Sequence, residues 1–296
     1  MIEAGLDPRL ESRWRLGATT LSFPPPRVAG IVNVTDDSFY PGARSSTPER
    51  AAADGLALVD EGFDLLDVGA VAARSGPPVP AADEAERLVP TVERLASESG
   101  VPVLADTFSA EVARRVLDAG AAGINDISGG ADPALLELVA ETGCGYVLMH
   151  IEGPPRADRE PRSGGDPVGR LLAWFSERIE AASARGVKPA QVALDPGLDF
   201  DLTVDDDLEL VRRLGELREL GHPLFVALSR KGFLGAVLAG SWEERAPAEE
   251  REAATLAAAT LATLAGAAVL RLHDRSALDA VRVAAAIAAQ PGRADG

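Results

Sequence analysis

A chain of 296 residues, 46% hydrophobic yet only 4% aromatic, carries enough apolar material for one large core built from Ala, Val and Leu. Its 29 basic and 46 acidic side chains leave a net charge of −17, which argues against nucleic acid or an anionic membrane as the main partner. The single Cys144 rules out an internal disulfide, and the stretch Met1-Ile2-Glu3-Ala4-Gly5 lacks the basic and apolar regions of a signal peptide, so a reducing, cytoplasmic setting is expected.

Residues 1–26, ending in Pro24-Pro25-Pro26, read as a lead-in segment covering the bottom of the fold that follows. A first apolar strand is expected at 28–32, then a helix opened by Thr47-Pro48-Glu49, where a capping hydroxyl precedes a first-turn proline. From there one signal recurs: a glycine closes each amphipathic stretch and a short apolar run follows it. Gly62 precedes 63–68, Gly100 precedes 101–105, Gly120 precedes 121–124 and Gly143 precedes 146–149. Gly186 precedes Val187 and then 192–194, Gly221 precedes 224–228, and Gly266 precedes 267–272. Ser109, Asp132-Pro133 and Thr203 mark further helix starts. The stretch 241–250, rich in Glu with one Trp, reads as a surface insertion before the seventh helix. The uncharged run 253–270 has the length of a membrane span, but its alanines and Thr255, Thr260, Thr263 and Gly266 suit a buried helix running into a buried strand.

Eight near-continuously apolar strands alternating with helices imply a parallel sheet covered on both faces. The expected fold is α/β, a (β/α)8 TIM barrel forming a single domain over residues 27–290. An open doubly wound sheet is the structural alternative.

In such a barrel, active groups sit where strands end, on the carboxyl-terminal face. Those positions hold Asn33, Asp67, Asp106, Asn125 with Asp126, His150, Asp195, Ser229 with Lys231, and Arg271 with His273. One aspartate after a strand is usually a helix cap, but a polar group at every strand end is hard to obtain by capping alone. Arg74, Lys231, Arg271 and His273 concentrate positive charge on one face of an acidic protein, which suits a phosphate or pyrophosphate. Asp106 and Asp195, as acceptors, suit a ring that presents N–H donors. The bland alternative is a set of structural ion pairs around the barrel rim.

The wording of these segments is specific. Ala29-Gly30-Ile31-Val32-Asn33-Val34-Thr35-Asp36-Asp37-Ser38-Phe39 resembles the first-strand signature of the dihydropteroate synthases. Asp106-Thr107, Asn125-Asp126, Leu148-Met149-His150, Asp195-Pro196-Gly197, Ser229-Arg230-Lys231 and Arg271-Leu272-His273-Asp274 follow in family order over residues 27–274. The resemblance implies a transferase of folate biosynthesis that joins 4-aminobenzoate to (7,8-dihydropterin-6-yl)methyl diphosphate and releases pyrophosphate. It implies that Asp106, Asn125, Asp195, Lys231 and Phe200 line the pterin slot. Asn33, Phe39, Arg74, Ser229, Arg271 and His273 would serve the pyrophosphate and aminobenzoate side, with Asn33 close to a Mg²⁺. Lys231, Arg271, His273 and Arg74 would carry the catalytic work, and a homodimer through helices near the C-terminus is implied as well. Cys144 reads as plain core, and His150 as structural in its motif.

Three loops depart from the family wording. Where the family reads Asp-x-Gly-Gly-Glu-Ser-Thr-Arg-Pro-Gly, this chain has Asp67-Val68-Gly69-Ala70-Val71-Ala72-Ala73-Arg74-Ser75-Gly76. The arginine is kept, but both hydroxyls are now alanines and the proline is Ser75. The first loop has Asp36 in place of proline and Tyr40-Pro41-Gly42-Ala43 in place of Ser-Asp-Gly-Gly. After Asp195-Pro196-Gly197, the usual Gly-Phe-Gly-Lys becomes Asp199-Phe200-Asp201-Leu202, which removes a cation and adds two carboxylates. Ala72, Ala73, Ser75 and Leu202 motivate an alternative, a pterin-binding paralogue without synthase activity. A pterin-barrel methyltransferase with a corrinoid partner is disfavoured by Ser229-Arg230-Lys231 and Arg271-Leu272-His273.

Overall fold

The computed structural model describes residues 12–34, 47–72, 76, 78–157 and 164–290. All eight apolar runs form strands: β3 (Arg27–Asn33), β4 (Leu65–Gly69), β5 (Val103–Asp106), β6 (Gly123–Asp126), β7 (Gly145–Met149), β8 (Val192–Asp195), β9 (Phe225–Ala227) and β10 (Val269–Leu272). They pair in parallel in the order β8-β7-β6-β5-β4-β3-β10-β9. A parallel bridge between Leu194 and Leu224 brings the two ends together, so the sheet is a nearly closed barrel rather than an open one. Every residue of β4 and β7 is buried, as strands packed on both faces require.

The outer layer is α1 (Pro48–Glu61), α2 (Ala81–Glu98), α3 (Ala110–Asp118), α4 (Pro133–Thr142), α5 (Pro167–Ala184), α6 (Val204–Arg212), α7 (Gly232–Ala239), α8 (Glu252–Leu264) and α9 (Arg275–Ala288). The expected caps are made: Thr47 accepts from Arg50, Ser109 from Val112, Asp132 from Ala134 and Thr203 from Asp206. The run 253–270 is α8 followed by β10, and among the described residues no helix is long and apolar enough to cross a membrane. The connection between β9 and β10 holds two helices, α7 and α8, with the 241–250 stretch between them.

Within the lead-in segment lies a hairpin that the sequence pattern does not announce. β1 (Ser12–Leu16) pairs antiparallel with β2 (Thr19–Phe23). Trp14, Leu16 and Phe23 are buried against Ala29, Leu65, Leu104, Val147, Ala193, Phe225 and Val269, the inward-facing residues at the lower ends of the barrel strands. Trp14 is fully buried and donates its indole N–H to the Gln191 carbonyl at 2.7 Å, so its one polar atom is satisfied inside the plug. The hairpin comes so close that a Cβ at Gly145 would lie 2.2 Å from Leu16. With the bottom plugged, the open end is the carboxyl-terminal one.

Candidate active site

At that open end lies a cavity of about 390 Å³. Asn33, Asp106, Asn125, Asp195, Phe200, Ser229, Lys231, Arg271 and His273 all line it, so residues drawn from most of the barrel strands meet in one place. Phe39 and Arg74 lie outside the described residues, as do Ala73, Ser75 and the altered part of the first loop.

The inner wall is organised around Asp67, a residue of β4 to which the sequence assigned no role. Its side chain is inaccessible to solvent, and its Oδ2 accepts from both Arg271 Nε and Asn125 Nδ2, the latter at 3.1 Å. Arg271 also donates through Nη2 to Asp106 Oδ2 at 3.2 Å. One carboxylate therefore aims a guanidinium and an amide from strands on either side of it. Asp67 Oδ1 and Asn125 Oδ1 are buried and make no hydrogen bond among the described residues. Buried acceptors in a native fold are nearly always paired, so two open ones beside a cavity mark where a ligand's N–H groups fit.

The electrostatics follow from this crowding. Burial and then nearby Asp67 raise the Asp106 carboxyl, Arg271 partly offsets both, and the net is a pKa of about 7. Burial likewise lifts Asp195 to about 6 against the pull of Lys231. His273 moves the opposite way, to about 3, because it is buried and faces Arg271, Arg230 and Lys231. Its Nδ1 lies 2.8 Å from Ser229 Oγ, which also accepts the His273 backbone N–H at 3.3 Å. His273 is thus a neutral hydrogen-bonding group at pH 7 rather than the cation read from the sequence. Of the four cations read from the sequence, Arg271 and Lys231 are the two that bring positive charge to the described wall.

The apolar faces are Ile31, Ile127, Met149 and Phe200, with Ile127 and Met149 clustered beside Phe200 and suited to a flat ring. Lys231 donates to the Leu198 carbonyl at 2.9 Å and sits 4.9 Å from the centre of the Phe200 ring. Gly197 has φ +69°, and a Cβ there would come within 2.1 Å of the His150 carbonyl, so the turn after Asp195 admits only glycine.

Other motif residues are structural. Arg230 pairs with Asp274 at 2.9 Å. Asp126 accepts from Tyr146 Oη at 2.6 Å and from the Ser128 and Gly130 backbone, which builds the loop after β6. His150 is buried edge-on to Trp174, with ring centres 4.9 Å apart and its pKa pressed down to about 4 by burial and then by Arg170. Cys144 is buried, and burial raises its thiol pKa.

The rim holds what sequence reading missed. The 241–250 stretch lies at the surface as expected, and it also contributes Arg245, Pro247, Ala248 and Glu249 to the cavity wall, followed by Arg251. Arg251 is fixed by bonds to the Ala246 and Arg230 carbonyls at 2.6 and 2.8 Å. Arg156, in the loop after β7, donates to the Ala72 carbonyl in the loop after β4 at 2.9 Å. The non-glycine residues described with positive φ, Arg156, Asp199, Asp201 and Arg230, all belong to the loops around this cavity. Strained backbone of this kind gathers at functional sites.

A plugged barrel whose open mouth holds carboxylate acceptors and cations on one cavity wall defines a class of enzyme that binds an N–H-rich ring bearing an anionic arm. The chain matches the family described as pterin binding enzymes over residues 29–273. It is 41% identical to the dihydropteroate synthase of Mycobacterium leprae over 275 residues, covering 90% of this chain and 95% of that one. Among solved structures it resembles Xanthomonas albilineans dihydropteroate synthase with 4-aminobenzoic acid, at 38% identity and a TM-score of 0.85, covering 95% of this chain and all of that one. The same enzyme in complex with 7,8-dihydropteroate matches at 36% identity and a TM-score of 0.80, covering 94% and 99%. The chain belongs to the pterin-binding enzymes and, within them, to the dihydropteroate synthases, which are transferases. Likeness of this extent to synthases lends no support to a non-synthetic paralogue.

Proposed function

We propose that the chain joins 4-aminobenzoate to (7,8-dihydropterin-6-yl)methyl diphosphate in the cytoplasm, with residues 27–290 as the working barrel. The observation that carries this reading is the lining of one cavity, where the acceptors Asp106, Asn125 and Asp195, with buried Asp67 behind them, share the wall with Lys231, Arg271 and His273. In this reading Asp106, Asn125 and Asp195 accept from the ring N–H and amino groups. Lys231 donates to a ring acceptor, with Phe200 against the ring face. Arg271, His273, Ser229 and Arg74 meet the diphosphate, and Phe39 lies on the aminobenzoate side. The C–O bond to the diphosphate breaks and its electron pair leaves with that group. The electron-rich dihydropterin stabilises the remaining methylene cation until the arylamine nitrogen attacks and gives up its proton. No protein nucleophile is required, in keeping with a cysteine buried away from the cavity.

The family resemblance also implies Mg²⁺, and the donor set fits it. Among the described residues no group of three His, Cys, Asp or Glu side chains could hold a metal, while Asn33 offers an amide oxygen on the cavity wall. Mg²⁺ is commonly held by one or two protein oxygens together with substrate phosphates. When bound, the ion would neutralise charge growing on the leaving diphosphate. A homodimer completes the proposal, supported by exposed Val237 and Leu238 on α7, Leu261 on α8, and Val283 and Ile287 on α9.

The test is dihydropteroate formation by the purified protein, given the pterin diphosphate, 4-aminobenzoate and Mg²⁺. Turnover is expected. A folded sample that binds a pterin without turnover would instead mark a non-synthetic paralogue.

A further inference from the structure

We propose that Asp199 is a positioning residue that locks the loop after β8 onto the first turn of α7, and thereby sets Lys231 and Phe200 against the ring slot. The proposal rests on the reading of Lys231 as a slot residue. Helix α7 opens at Gly232 and has no side-chain cap of its own, because Lys231 in the capping position bears no acceptor. Asp199, 33 residues earlier, supplies the acceptor from another loop: its Oδ2 takes the Gly232 N–H and its Oδ1 takes the Phe233 N–H at 2.8 Å. The carboxylate is 4% exposed, and its own backbone N–H is held by Asp207 Oδ1 at 3.0 Å. Asp207 belongs to α6, so α6, the loop and α7 are tied in series.

Both ends of Lys231 hang from this tie. Its backbone adjoins Gly232, while its ammonium is held by the Leu198 carbonyl and the Phe200 ring, the two immediate neighbours of Asp199. The arrangement leaves no slack, since a Cβ on Gly232 would lie 2.9 Å from the Trp242 ring and 3.1 Å from Asp199 Oδ2. Phe200 is bracketed on its other side by Asp201, whose Oδ2 accepts the Glu152 backbone N–H at 3.2 Å.

The backbone explains why aspartate can do this. Asp199 and Asp201 have φ of +72° and +58°, a conformation that glycine adopts freely and that aspartate tolerates better than most residues. The resemblance leads one to expect glycine at both positions. Each aspartate accepts the left-handed backbone and adds a carboxylate that ties a second loop. The two carboxylates that look like stray negative charge in the sequence are thus fasteners made to backbone N–H groups.

Asp199→Gly separates the tie from the strain, because glycine removes the carboxylate yet suits the positive φ. Asp199→Asn keeps an oxygen acceptor. In Asp199→Gly, kcat is expected to fall roughly 10- to 100-fold, the scale of misplacing a reacting group by about an ångström. KM for the pterin diphosphate should rise more than KM for 4-aminobenzoate, and Asp199→Asn should recover much of the loss. A readout independent of turnover uses the chain's two lysines, Lys188 and Lys231. Acylation of Lys231, followed by mass spectrometry against Lys188 as internal reference, should become several-fold faster in Asp199→Gly. Wild-type acylation at Lys231, or wild-type kinetics with the pterin diphosphate, would overturn the proposal. If the wild type itself neither turns over nor binds a pterin, the functional reading fails, while the acylation ratio still decides whether Asp199 positions Lys231.

Discussion

The inner wall of the cavity and its rim are held in different ways. Within, Asp67 lies midway along β4 while Asp106, Asn125 and Arg271 lie at or one residue short of the ends of β5, β6 and β10, and the parallel sheet brings the four together. At the rim, Arg156 reaches Ala72, Asp199 reaches α7 and Arg251 reaches Arg230, each a side chain joining two separate segments. The inner wall is built from residues of the family-like motifs, whereas two of the loops that depart from them are tied to other segments, at Ala72 by Arg156 and through Asp199 to α7. A scaffold can hold its chemistry in strand ends and let its loops change, provided new side chains restore the ties that the loops need.

Replacing Asp67 should break the inner wall most severely. Asp67→Ala leaves the Arg271 guanidinium and the Asn125 amide without their shared acceptor, and stripping one partner from a buried pair costs about 3–5 kcal/mol. Urea unfolding should show that loss and pterin binding should disappear. A variant of wild-type stability would mean that Asp67 is not the hub.

A pH titration probes the same wall more gently. Asp106 and Asp195 must be ionised to accept ligand N–H groups, and their pKa values stand near 7 and 6 rather than 3.8. Pterin affinity should therefore fall as pH drops from 8 to 5, by up to about tenfold per unit for each group below its pKa. Their contribution to the stability of the unliganded fold has the opposite sign. A carboxyl with a raised folded pKa binds more protons folded than unfolded, so this contribution declines as pH climbs from about 4 to 7. Calorimetry with a neutral pterin would show affinity flat above pH 5 if these were ordinary carboxylates.

The rim should give the smallest effect. Arg156→Ala removes one bond to the Ala72 carbonyl, worth about 1 kcal/mol, so KM should rise several-fold with the unfolding midpoint nearly unchanged. A loss as large as that from Asp67→Ala would show that rim and inner wall form one unit.

Most of the scaffold was legible in the sequence because its signals are local. A cap such as Thr47 acts on residues three positions away, and a stop such as Gly62, with φ +102°, needs only its own backbone. The eight apolar runs marked the strands, and the residues just beyond them marked the cavity wall, since a strand's last residue in a barrel faces the mouth whatever the loop does. Asn33, Asp106, Asn125, Asp195, Ser229, Lys231, Arg271 and His273 were found in this way.

What tertiary structure alone decided depends on residues far apart in the chain. Arg271 meets Asp67 across 204 positions, and no pattern in either segment reveals that one carboxylate orients both Arg271 and Asn125. His273 looks cationic in a motif, yet folding buries it among Arg271, Arg230 and Lys231 and presses its pKa down to about 3. Trp14 stands between Arg13 and Arg15 in the lead-in, with no visible partner until the barrel gives it a floor to fill. Residues 241–250 face solvent as their polar composition says, but only the fold shows that Arg245, Pro247, Ala248 and Glu249 also edge the cavity. By itself the sequence determined the barrel, its mouth and the residue types delivered there. Only the tertiary structure decided their charge states, their shared partners and the ties between loops, because those depend on burial and on distances that close when the sheet does.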